Sequence, residues 1–161
     1  MTTPNWLTPR EARAWRGYLR MRDLLDLQIS RDLAESSGLS TADYSVLAAL
    51  SLADNQRLRL IDLAQTLLWS KSRLAHHLDR MAARGLIRRQ SHPTNSRAAV
   101  ITLTGQGRRT IEQAAPDHVA SVRRHFIDRL TDSQLDALGD ASEAVIPHLA
   151  ELIDPGRTTG R

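Results

Sequence analysis

Ser70-Lys71-Ser72-Arg73 and His76-His77-Leu78-Asp79-Arg80 crowd hydroxyls, imidazoles and cations into eleven residues. On a 100° helical wheel, Leu74, Leu78 and Met81 cluster on one side. Ser72, Arg73, His76 and Arg80 point away from them, and Lys71 and His77 fall near the boundary. The chemistry available to such a face is hydrogen-bond donation and charge neutralisation, with Asp79 its lone carboxylate. It suits recognition of an anion that displays a pattern of acceptors, and it does not suit bond making.

Nothing else in the chain supplies a reaction. There is no Gly-x-Ser-x-Gly elbow, phosphate-binding glycine loop or dinucleotide fingerprint. The carboxylates are scattered as helix caps and surface charges, and no pair has the spacing of general acid–base work. Cysteine is absent, which excludes disulfides, thiolate metal sites and cysteine-based redox switching. Of six histidines, His76 and His77 are adjacent and His118 and His125 are seven apart; no His-Glu-x-x-His occurs. We expect no enzyme, no cofactor and no metal.

Charge sharpens the reading. Arg57 to Arg97 carries nine cationic side chains (Arg57, Arg59, Lys71, Arg73, Arg80, Arg84, Arg88, Arg89, Arg97) against Asp62 and Asp79. That is a net +7 in a 161-residue chain of net +4, so the remainder is net negative. A cationic block in one quarter of a protein steers it toward polyanions.

The elements that must position this block follow from caps and periodicity. Thr8-Pro9-Arg10-Glu11 opens a first helix, with Trp15, Tyr18, Leu19, Leu25, Ile29 and Leu33 at helical spacing and Gly38 ending it. Ser40 to Asp43 is a second capping box, before a short helix through Tyr44, Val46, Leu47, Leu50 and Leu52. Asp54-Asn55-Gln56 is a polar turn. Leu60–Leu68 reads as a short helix, Trp69-Ser70 as a tight junction, and Ser70–Arg84 as a further helix closed by Gly85. The period then changes. Leu86–Ser91 and Ala98–Leu103 are strand candidates, with His92 to Arg97 between them as a hairpin tip. Thr104 caps a helix that Pro116 should bend. Thr131 to Gln134 is a third capping box, opening a last helix through Leu135, Leu138, Val145, Ile146, Leu149 and Leu152.

Two short helices joined by a tight turn, then a β-hairpin, make a winged helix-turn-helix. The fold class is mainly α with a small β-hairpin wing, flanked by N- and C-terminal helices. A helix fits the major groove of B-form DNA, about 12 Å wide. Ser70, Lys71 and Ser72 sit at a helix N-terminus, where free N–H groups favour phosphate. Arg73 and His76 lie one turn in, where base edges come within reach. The expected partner is double-stranded DNA, read in sequence-specific fashion. The alternative is an architectural protein that binds any duplex through phosphates, with steep salt dependence.

The stretch LIDLAQTLLWSKSRLAHHLDRMAARGLIRRQSHPTNSRAAVITLTGQG resembles the core of the MarR (multiple antibiotic resistance regulator) family. The telling parts are Leu63-Ala64, the SKSRLAHHLDRMAARGLI block, Arg97, and Leu103-Thr104 followed by Gly107. The resemblance covers about residues 6–152. It implies a transcriptional regulator, more often a repressor, that acts as a homodimer on a pseudo-palindromic site. The implied layout is a single domain over 1–161, with dimerisation helices at 6–36 and 105–153 and a DNA-binding region at 40–104. The excess of apolar residues in the first and last helices (Trp6, Leu7, Trp15, Tyr18; Ile146, Leu149, Leu152, Ile153) agrees with dimerisation.

The recognition helix would contact DNA through Ser70, Lys71, Ser72, Arg73, His76, His77 and Arg80. The wing would do so through Arg88, Arg89, Asn95, Ser96 and Arg97, with Arg97 in the minor groove, where narrow A·T-rich stretches attract arginine. Relatives often carry wing aspartates near the positions of His92 and Asn95; neither residue is acidic here. The resemblance also implies release by a small aromatic or anionic ligand, with Trp15, Tyr18 and His118 as candidate lining. No membrane-spanning or secretory segment is legible, and a cytoplasmic location is the expectation.

Overall fold

The computed structural model describes residues 4–92 and 95–153, and for residues 91–92 and 95–98 the backbone alone. The elements run α1 (Pro9–Ser37), α2 (Thr41–Leu52), a 3₁₀ turn (Asp54–Gln56), β1 (Arg57–Arg59), α3 (Leu60–Leu67), α4 (Lys71–Ala83), β2 (Ile87–His92), β3 (Asn95–Leu103), α5 (Gly105–His125), a second 3₁₀ turn (Ile127–Arg129) and α6 (Asp132–Ile153). They form two compact units, one ending at Ser121 and one beginning at Val122.

The helix starts are set by local chemistry. At α1 the Thr8 side chain accepts from the Glu11 N–H while the Glu11 carboxylate accepts from the Thr8 N–H at 2.7 Å, with proline at the first helical position. Gly38, at φ 68°, closes the helix in the left-handed region that suits glycine. Ser40 and Asp43 form the same reciprocal cap on α2, and Thr131 and Gln134 form it ahead of α6. α5 and α6 continue as single helices through Pro116 and Pro147.

In the first unit the core gathers one face from each element. Leu33 and Leu39 meet Val46, Leu47 and Leu50 of α2, Leu63 and Ala64 of α3, and Leu74, Leu78 and Met81 of α4. Leu86, Ile87, Ile101 and Leu103 from the hairpin, and Ile111 and Ala114 from α5, complete it. Each fully buried leucine of this kind contributes about 2–3 kcal/mol of transfer free energy. α4 is therefore anchored along its whole apolar stripe.

Two features depart from the sequence reading. The residues after the polar turn form a third strand: β1 pairs antiparallel with β3 (Arg57↔Thr102, Leu58↔Ile101, Arg59↔Val100), giving the order β1-β3-β2. Three residues are too few for a periodicity signal, so the partner strand decides. The hairpin also runs further than expected. Asn95, Ser96 and Arg97 belong to β3 and His92 to β2, with an irregularity between Ser91 and His92. Their loop-like composition yields to the backbone ladder.

One close approach fixes the base of the wing. The Thr104 hydroxyl accepts from the Gly107 N–H at 2.9 Å and faces the carbonyls of Gly85 and Leu86 at 2.6 and 3.0 Å. A Cβ on Gly107 would lie 2.0 Å from the Leu86 carbonyl oxygen. The first turn of α5 thus packs directly on the backbone between α4 and β2.

Candidate nucleic-acid interface

α3 ends at Leu67, and Leu68 takes φ 54°, ψ 37°, an uncommon conformation for leucine that turns the chain sharply into α4. The Trp69 N–H donates to the Ala64 carbonyl at 3.0 Å, holding the turn closed. Ser70 caps α4, its hydroxyl accepting from the Arg73 N–H at 3.2 Å. On α4, Leu74, Leu78 and Met81 are buried. Lys71, Ser72, Arg73, His76, Asp79 and Arg80 are exposed, as is the cap Ser70. Asp79, the carboxylate on that side, pairs with Arg89 of β2. The pair cancels the negative charge beside the cations and ties the wing to α4.

His77 is the exception among the residues assigned to the recognition surface. It is only 8% exposed and faces inward. Its Nδ1 accepts from Arg80 Nη2 at 3.1 Å, which places the ring proton on Nε2, 3.1 Å from Asp43 Oδ1. That second contact is close but poorly aligned, and neither atom has another hydrogen-bond partner among the described residues. The correction has a simple cause. His77 lies three residues after Leu74 and four before Met81, at the edge of the buried stripe, so packing against α2 is enough to draw it inward.

The partner, Asp43, is buried at the start of α2. Its Oδ2 accepts from the Ser40 N–H at 3.2 Å and from Arg84 Nη1 at 2.9 Å. Burial pushes the Asp43 carboxyl up, but the bonds from Arg84 and Ser40 outweigh it and hold the group below its ordinary range. Burial pulls the His77 imidazole down; Asp43 opposes this, and Arg80 and Arg84 reinforce it. His77 is thus the neutral member of a network that joins the first turn of α2 to the middle and end of α4. Sequence reasoning treated Asp43 only as a cap and Arg84 only as a helix end.

Trp69 was likewise read only as a junction. Its ring carries the Arg73 guanidinium at 4.3 Å from the centroid, and the His77 ring meets it at 5.6 Å with an interplanar angle of 89°.

On the wing, Arg88 and Arg89 are exposed. The side chains of Asn95, Ser96 and Arg97 lie outside the described residues, as do Pro93 and Thr94 altogether. The three residues considered for a ligand do not share one set of ring contacts. Trp15 and Tyr18 stack on each other at 5.8 Å, with Arg22 over Tyr18. His118 packs on Tyr44 at 4.2 Å, and burial lowers its pKa. No described helix is long and apolar enough to cross a membrane.

A braced helix pair, an outward cationic helix face and an adjoining antiparallel wing define a winged helix-turn-helix protein. The description MarR family matches residues 37–98. AbsC, a MarR family transcriptional regulator from Streptomyces coelicolor, is 40% identical, covers 91% of this chain and 99% of its own, and superposes with a TM-score of 0.86. Sco3205 from the same organism, solved in complex with DNA, is 32% identical over 98% of this chain and 96% of its own, also at 0.86. The HTH-type transcriptional repressor YetL of Bacillus subtilis (strain 168) is 30% identical over 109 residues, 66% of this chain and 65% of its own length. The chain belongs to the MarR family and is a transcriptional regulator of that type, a class that is not enzymatic.

Proposed function

We propose that the chain is a homodimeric repressor that binds a pseudo-palindromic DNA duplex, α4 lying in the major groove and the β2–β3 wing beside the neighbouring backbone. The observation that carries the reading is the two-sidedness of α4. Its apolar stripe is sealed in the core, while Lys71, Ser72, Arg73, His76 and Arg80 are exposed beside a carboxylate already neutralised by Arg89. Ser70, Lys71 and Ser72 would hold phosphate at the helix N-terminus, and Arg73 and His76 would meet base edges. Arg88, Arg89, Asn95, Ser96 and Arg97 are assigned to the wing contacts, Arg89 through what its pair with Asp79 leaves free. Sco3205 was solved with DNA bound and YetL is named a repressor, which supports the same activity here.

Residues 40–104 would form the DNA-binding region, and residues 6–36 and 105–153 the dimer. Support for the dimer is apolar surface that one copy leaves uncovered. Trp6 is 81% exposed; Trp15, Tyr18, Leu24 and Leu27 are exposed along α1. α6 has no buried residue, and Val145, Ile146, Leu149, Leu152 and Ile153 face solvent, Ile146 at 61%. An exposed set this large calls for a partner surface, and a second copy related by a two-fold axis would place half-sites about one helical turn apart. A small aromatic or anionic effector at Trp15, Tyr18 or His118 would have to displace the packing contacts these rings already make.

Selection of bound duplexes from a random-sequence pool tests the whole proposal. The expected result is a palindrome bound by a species of twice the chain mass. Equal affinity for selected and random duplexes at moderate salt would favour the architectural alternative and overturn this one.

A further inference from the structure

We propose that Trp69 is a positioning residue that aims Arg73 at a guanine of the bound duplex; the inference rests on α4 reading DNA as proposed above. Trp69, Arg73 and His77 follow at four-residue steps, and the Trp69 ring meets both of the others. The guanidinium of Arg73 lies over the face of Trp69 at 4.3 Å, and the ring of His77 stands at right angles to it at 5.6 Å. His77 is in turn held between Arg80 Nη2 and Asp43 Oδ1. The platform is therefore braced from the core, and the backbone below it is pinned by the bond from Trp69 N–H to Ala64.

The physical consequence concerns the freedom of Arg73. An exposed arginine samples many rotamers and must give them up on binding. A cation held over an indole is restricted in that sampling in the free protein, and the contact consumes no hydrogen-bond acceptor from the protein. The five N–H donors of the guanidinium radiate in the plane of the group, and Arg73 makes no hydrogen bond or ion pair from its side chain to another described residue. A planar fork of donors held at a fixed angle matches the O6 and N7 acceptors of guanine in the major groove. Lys71 and Arg80, which have no such platform, are left to phosphates. Leu68, at φ 54°, immediately precedes Trp69 and sets the direction from which it meets α4.

The test uses the full chain and a duplex selected from a random pool, with each guanine replaced in turn by 7-deazaguanine, which lacks the N7 acceptor. For the native protein one guanine per half-site should show a loss of about tenfold. Arg73→Ala should lose a similar factor on the unmodified duplex and become indifferent to the replacement. Trp69→Leu should weaken binding about threefold to tenfold and shrink the 7-deazaguanine penalty, with no further loss when combined with Arg73→Ala. Trp69→Phe, which keeps an aromatic face and guards against a folding failure of the leucine variant, should give an intermediate penalty. If both Trp69 variants keep the full penalty, the indole is only core packing and the inference falls while DNA reading stands. If Arg73→Ala keeps native affinity and native sensitivity, the assignment of Arg73 falls and the inference with it.

Discussion

Replacing Asp43 by alanine should cost about 3 kcal/mol of folding stability, and the figure follows from what each partner loses. The carboxylate is only 4% exposed and serves Ser40, Arg84 and His77 together. Loss of the Ser40 cap is worth about 1 kcal/mol. Arg84 is half exposed and regains water when freed, so its charge-assisted bond costs about 1 kcal/mol rather than the full buried value. His77 cannot regain water; its Nε2–H, already poorly aligned, loses the nearby carboxylate altogether, at about 1–3 kcal/mol. The refund is the desolvation that the carboxylate no longer suffers, which keeps the total near 3 rather than 5 kcal/mol. For a chain of this size that is about 6–12 °C in Tm.

Asp43→Asn separates the terms. Its carbonyl can take the place of Oδ2 toward Ser40 and Arg84, but its amide then faces the Nε2–H of His77, donor against donor. A loss of about 1–2 kcal/mol is expected. Combining Asp43→Ala with His77→Leu should be milder than the sum of the two, because no orphan remains. Urea melts at pH 7.5 measure all five proteins, native and His77→Leu included. An Asp43→Ala variant within 1 kcal/mol of native, or strict additivity in the double variant, would refute the idea that these contacts brace α4.

Gly107→Ala should be destabilising by about 3 kcal/mol in the same melts, because the new methyl would meet the Leu86 carbonyl oxygen, backbone that cannot step aside cheaply; a native-like Cm would show that the base of the wing is loose. The depressed His77 pKa predicts acid sensitivity that begins early. The unfolded imidazole takes a proton near 6.5 while the folded one resists, so stability is complete above about pH 6.5 and declines as pH falls toward the folded value. His118 acts in the same direction, and Asp43, whose folded pKa is also lowered, adds its loss only below about pH 4. His77→Gln should flatten the dependence of Tm on pH between 6.5 and 5 without abolishing it, and an unchanged slope would place the titration elsewhere.

What the residues alone determined is what depends on neighbours along the chain. Thr8 with Glu11, Ser40 with Asp43 and Thr131 with Gln134 are three residues apart, so a cap is complete within one turn and shows as a pattern. Leu74, Leu78 and Met81 are one face of one helix, so the direction in which α4 buries itself, and the cationic side it leaves out, could be read before any fold was known. The same wheel held His77 at the boundary of that face; its polarity, not its spacing, placed it with the exposed set. Tertiary structure decided the rest, because the partners are far apart in sequence. β1 exists because β3 offers it a ladder some forty residues on, and three residues have no period of their own. Arg84 reaches Asp43 across 41 positions, a pairing that only the packing of α4 on α2 creates. Trp69 beneath Arg73 was only four residues away, yet the pair needs the turn at Leu68 to bring the guanidinium over the indole. That turn is a left-handed backbone conformation that leucine rarely adopts, so the residue type does not announce it.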